Sequence, residues 1–203
     1  MLKVFFNRRG MLLSVASLTM PFLIPAAARA SATSVPVAAG TITEATSSAG
    51  MYQYDLKLVN AGISGGAAIG SFWFAWLPGE DFLTSNPISQ TAPTGWTATP
   101  QLISGGGGAS IQFTANSTGD YLQSGQSLSG FSFTTPDAPS NVFGQSVPFP
   151  NTLTTTSVAY HAGLFSDSGA QFVFTPVPEP GPLALITTSV IGLSLLVRRR
   201  KSM

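Results

Sequence analysis

The chain has 203 residues, a formal net charge of +1, 44% hydrophobic residues, only 8% charged ones and no cysteine. Without cysteine there are no disulfides, thiol nucleophiles or thiolate metal sites, and any exported domain must hold itself by its core alone. The +1 hides a lopsided distribution. Residues 31–177 hold one lysine, Lys57, against seven carboxylates, a net charge of −6, and so lack the clustered Lys and Arg that a nucleic-acid partner requires.

Residues 1–30 have the three parts of an export signal. Lys3, Arg8 and Arg9 form the charged front, and residues 11–25 the apolar stretch. In Ala28-Arg29-Ala30, small residues occupy the two positions a signal peptidase reads. The cut is expected after Ala30, with Ala26-Ala27-Ala28 as the alternative site. Arg8-Arg9-Gly10-Met11-Leu12 also resembles the twin-arginine export pattern, although Asn7 stands where a Ser or Thr is usual. Both that route and the general secretory route stay open.

Residues 31–175 are rich in Gly, Ser, Thr, Val and aromatics. Apolar residues recur with period two and nowhere hold helical spacing for three turns, which predicts strands. The first strand is expected over 34–45, broken by Ala38-Ala39-Gly40. Tyr52, Tyr54, Leu56 and Leu58 then alternate with Gln53, Asp55 and Lys57, a strand with one wet face. Residues 69–77 read as a single strand in which Phe72, Phe74 and Trp76 alternate against Trp73. Pro78-Gly79-Glu80-Asp81 reads as a turn, and 82–93 as an irregular crossing. Pro100 puts the strand over 95–103 at an edge. Gly105 to Gly108 then connects it, hairpin-fashion, to a strand over 109–114 carrying Ile111 and Phe113. After a turn at 116–120, residues 122–133 form a strand with a bulge at Gly130. A proline-containing loop fills 136–150, and strands over 154–160 and 170–175 complete the set.

Seven or eight short strands with turns between them predict an all-β, antiparallel β-sandwich. Residues 54–62, which end in Asn60-Ala61-Gly62, resemble a strand and turn of immunoglobulin-like surface modules. Residues 122–133 resemble a later strand of the same modules. The resemblance implies a fold and no activity.

Little in the body suggests catalysis. His161 is the only histidine, and no Gly-x-Ser-x-Gly elbow accompanies it. Glu80 and Asp81 are adjacent, so they do not read as a separated acid pair. Asn116-Ser117-Thr118-Gly119-Asp120 and Ser166-Asp167-Ser168-Gly169 offer oxygen ligands for calcium but lack its dense acidic pattern, and ordinary turns account for them. The expectation is no enzyme, no cofactor and no metal. Trp73, Trp76 and Trp96 make an alternative aromatic platform for sugar rings, weighed against a plain core role.

The tail is the most specific segment. Val177-Pro178-Glu179-Pro180 precedes an apolar run over 183–197 and the cluster Arg198-Arg199-Arg200-Lys201. As a helix the run is about 22 Å long, a short transmembrane segment beside a hydrocarbon core of about 30 Å. Its basic cluster would stay on the cytoplasmic side. Residues 176–203 resemble the PEP-CTERM sorting signal of Gram-negative bacteria, a segment also named after ice-binding proteins without implying ice binding here. The resemblance implies handling by an exosortase-type membrane enzyme. It also implies an inner-membrane-anchored precursor and a mature form at the cell surface or in the extracellular matrix. Such proteins accompany exopolysaccharide and biofilm formation, so a structural or adhesive role is expected. A plain single-pass anchor is the alternative.

Overall fold

The structure, a computed structural model, describes residues 35–102 and 108–178. The expected export segment with Ala28 and Ala30, residues 103–107, Glu179, Pro180, the apolar run 183–197 and the Arg198 to Lys201 cluster lie outside those residues. No helix among the described residues is long and apolar enough to cross a membrane.

The body is an all-β sandwich. Its strands are β1 (Ala38–Ser48), β2 (Met51–Asn60), β3 (Ser71–Phe74), β4 (Trp76–Leu77), β5 (Glu80–Asp81), β6 (Ser89–Thr91), β7 (Trp96–Leu102), β8 (Ala109–Ala115), β9 (Ser127–Thr135), β10 (Thr156–Tyr160) and β11 (Ala170–Pro176). A short helix, α1 (Pro139–Val142), lies in the loop after β9. Nine strands join in the order β6-β9-β2-β1-β11-β10-β3-β8-β7, and β4 and β5 form a separate hairpin.

The ladder folds back on itself because alternate residues on both halves are large and apolar. Phe131 of β9 meets Phe72 of β3, Phe113 of β8 and Trp96 of β7 edge-on, with ring centroids 5.1, 5.1 and 5.3 Å apart. Phe133 lies 5.0 Å from Phe74. β6-β9-β2-β1 therefore covers β11-β10-β3-β8-β7. Each fully buried phenylalanine contributes about 1.5–3 kcal/mol, and the ring pairs add edge-to-face attraction.

The two layers join where β1 runs parallel to β11, pairing Gly40 with Phe174, Thr41 with Thr175 and Ile42 with Pro176. The other pairs of the nine-stranded ladder are antiparallel. The Ala38-Ala39-Gly40 run does not break a strand; it opens one. Gly40 is required there, because a Cβ would run into the Phe174 ring.

Two further expectations are corrected. The strand over 69–77 is interrupted at Ala75, which is fully buried with φ +59. The crossing 82–93 contains β6, which pairs with β9. Gly130 has φ +100 and is the unpaired residue of a bulge between the Leu56–Phe131 and Lys57–Ser129 pairs. The turn after β2 is tied down by Asn60. Its Nδ2 donates to Ala67 O at 2.9 Å and Leu122 O at 3.0 Å, and its Oδ1 accepts from Gly62 N at 3.2 Å.

Candidate binding surfaces

The three tryptophans do not form one platform. Trp96 sits in the main core, and its Nε1 donates to Asp120 O at 3.1 Å. Trp73 lies on the opposite face of β3 from Phe72 and Phe74, in a second cluster with Trp76, Val158 and Tyr160. The left-handed residue Ala75 explains why Trp76 is there too. In an unbroken strand, positions 73 and 76 would face opposite sides; the kink turns them together. Their rings stack at 4.6 Å and 26°. Both are nearly covered, at 7% and 6% exposure, as in the plain core role weighed against the platform, and they form a closed pair.

The cover includes the loop between β10 and β11. Phe165, held at φ +56 and 64% exposed, lies 6.0 Å from Trp76 and 5.7 Å from Tyr160. Burial, together with the nearby Asp167 carboxylate, raises the Tyr160 phenol above its usual range. Trp73 Nε1 is buried with no hydrogen-bond partner among the described residues.

The same loop accounts for His161 and for one proposed calcium turn. Asp167 accepts from His161 N at 2.8 Å through Oδ2 and from Gly169 N at 2.7 Å through Oδ1. Both carboxylate oxygens thus serve the loop's own backbone. The His161 ring shares a 3.0 Å hydrogen bond with Ala68 O and stands edge-on to Tyr121. In the other turn, Ser117 Oγ donates to Asp120 Oδ2 at 2.7 Å. Groups of three or more His, Asp or Glu side chains fit to hold a metal are absent among the described residues.

Glu80 and Asp81 form β5 instead of lying in a solvated turn. Pro78-Gly79 closes the hairpin, with Gly79 at φ +91. Glu80 stays half-exposed while Asp81 is buried. Burial raises the Asp81 carboxyl above its ordinary value, and the Ser110 hydroxyl is close enough to ease the charge somewhat. Even so, neither Asp81 Oδ1 nor Ser110 Oγ completes a hydrogen bond among the described residues.

Sequence reasoning missed a polar groove of about 330 Å³ on the outward face of β1, β2 and β9. Thr41, Thr43, Asp55, Lys57, Ser129 and Ser132 line it, with Gly130 at its side. The signal was present in the wet-face alternation of β2, but the partners on β1 and β9 depend on register.

At the start of the tail, Val177 N donates to Ile42 O at 2.9 Å. The last strand therefore delivers the chain directly to Pro178.

No protein-family model and no curated protein matches the sequence. Among solved structures, the chain is similar to the GH20 exo-β-N-acetylglucosaminidase of Vibrio harveyi in complex with N-acetylglucosamine, at 12% identity and TM-score 0.41. That match covers 70% of this chain and 18% of that one. An uncharacterized Nocardia farcinica protein with an immunoglobulin-like fold matches at 15% identity and TM-score 0.40, covering 68% of this chain and 98% of that one. A family IIIA CBD from Clostridium cellulolyticum matches at 12% identity and TM-score 0.37, covering 71% of this chain and 99% of that one. At these TM-scores the likenesses carry no argument about activity or ligand.

Proposed function

We propose that the chain is a non-catalytic module of the cell surface or extracellular matrix. In this reading it is exported, sorted through its C-terminal PEP-CTERM-like signal, and acts by contact alongside exopolysaccharide. The observation that carries the reading is the junction at Val177. The last strand ends at Pro176, Val177 is the last residue bonded to the ladder among the described residues, and the proline motif begins at once. A processing enzyme acting beyond Val177 would remove the tail without touching the ladder. Prolines at 178, 180 and 182 oppose both helix and sheet and favour an extended, accessible segment.

The test is cell fractionation with mass analysis of both termini. The mature chain is expected to begin after Ala28 or Ala30, to end near the Pro-Glu-Pro motif, and to lie outside the inner membrane. A double substitution, Pro178→Ala with Glu179→Ala, should strand the precursor in the membrane. Normal maturation of that variant would end the sorting reading.

A second reading, a carbohydrate-binding module, is favoured by the Trp73–Trp76 pair and its exposed neighbour Phe165 on the outward face of the sheet. Indole faces bind sugar rings well once uncovered. Adding polysaccharide should then quench or shift tryptophan emission. Unchanged spectra across several polymers would remove the aromatic pair from consideration.

A further inference from the structure

We propose that the groove on β1, β2 and β9 is a binding site for a neutral, hydroxyl-rich saccharide chain. The inference rests on the reading that the module works in contact with exopolysaccharide.

The register makes the case. Lys57 of β2 pairs with Thr41 of β1 on one side and Ser129 of β9 on the other. Two residues earlier, Asp55 pairs with Thr43 and Ser132 in the same way. Two parallel rows result, each a charged group between two hydroxyls. The rows stand about 7 Å apart along β2, and neighbouring positions within a row about 5 Å apart. Asp55 and Lys57 are exposed, and Gln53 Nε2 donates to Asp55 Oδ1 at 3.3 Å, which orients the carboxylate.

The bulge borders the groove. Gly130 is the extra residue beside Lys57, and a Cβ there would meet Pro93 at 3.3 Å. The groove's volume of about 330 Å³ lies at the small end of the range for ligand sites, about 300–1,000 Å³.

The chemistry selects the ligand class. A carboxylate only accepts, an ammonium only donates, and a hydroxyl does both. A partner must therefore offer donors and acceptors a few ångströms apart, as a pyranose ring does. An apolar ligand would leave two charges unpaired. An anionic one would meet the Asp55 carboxylate in the groove and the net charge of −6 that residues 31–177 carry. β2 lies between β1 and β9 and has no free edge, which rules out strand addition here.

The test is affinity electrophoresis of the full chain in gels containing a neutral β-glucan, a neutral galactomannan or polygalacturonate. At least one neutral polymer should retard the protein, and polygalacturonate should not. Asp55→Asn and Lys57→Met should each weaken retention at least fivefold, with an unchanged urea midpoint as the folding control. Phe165→Ala should leave it intact. If the native chain is retarded and both groove variants match it, the groove is refuted while the polysaccharide reading stands. Loss in Phe165→Ala alone would transfer the site to the aromatic pair and refute the groove. Preference for polygalacturonate would overturn the neutral class. Retardation by no polymer would remove both the groove and the reading beneath it.

Discussion

Asn60→Ala tests how the end of the sandwich is held. Asn60 is fully buried, and its side chain makes three hydrogen bonds to two different loops. Three lost bonds at about 0.5–1.5 kcal/mol each bound the cost at about 1.5–4.5 kcal/mol. The structure narrows that range. Leu122 O keeps a bond from Ile69 N at 2.9 Å, and Ala67 O keeps a longer one from Ser124 Oγ at 3.4 Å, so neither carbonyl is orphaned. A loss of about 2–3 kcal/mol follows. Asn60→Asp should cost about 1–2 kcal/mol more, because an unprotonated oxygen replaces the donor facing two carbonyls. Urea denaturation followed by tryptophan fluorescence measures both. An alanine variant within about 0.5 kcal/mol of the native protein, the usual scale for a surface change, would refute the reasoning. So would an aspartate variant no worse than alanine.

Gly40→Ala should destabilise by about 1–3 kcal/mol, since the new methyl meets the buried Phe174 ring at the seam; an unchanged urea midpoint would contradict this. Ala49 and Gly50 close the β1–β2 hairpin with φ of +51 and +77. Ala49→Asn should therefore raise stability by about 0.5–1 kcal/mol, seen as a higher melting temperature. Asp81→Asn tests the buried carboxyl. Its folded value is raised from 3.8, so the fold favours the protonated form. That contribution is full below the unfolded value and is lost as pH rises through the folded one. The variant should gain on the native protein as pH climbs from below 3.8 towards neutrality, and parallel stability-versus-pH curves would disprove it.

Strand identity was readable wherever one face is wet. In β2 the alternation assigns Tyr54, Leu56 and Leu58 inward and Asp55 and Lys57 outward, and each lies so. Asn60-Ala61-Gly62 was readable as a turn because the amide recognises a backbone N–H two residues on. The bulge at Gly130 was readable because a lone glycine inside a strand pattern needs a reason. Ala75 left no such trace. Alanine is an ordinary residue that takes a left-handed φ here only because the surrounding core over-determines it, so the facing of Trp76 was misassigned. Ala49 hid the first hairpin in the same way, and the expected strand stopped at 45 instead of running to Ser48. The groove was illegible for another reason. Its six polar residues come from three strands, and period-two patterning says which side each takes without saying who stands opposite whom.

The seam between β1 and β11 also sets the order of assembly. β11 is the last strand in sequence among the described residues, and it bridges β1 to β10. Before it arrives, the named strands of the two layers share no ladder among the described residues, and only the Ile69–Leu122 bridge ties the segments that lead into β3 and β9. Contacts so distant in sequence form late, because the closure entropy comes before the contacts that offset it. In a chain threaded across a membrane, the amino-terminal strands would emerge first and wait unjoined, and the body would lock only when the residues just ahead of the tail had cleared the bilayer. The tail would then follow the piece that completes the fold.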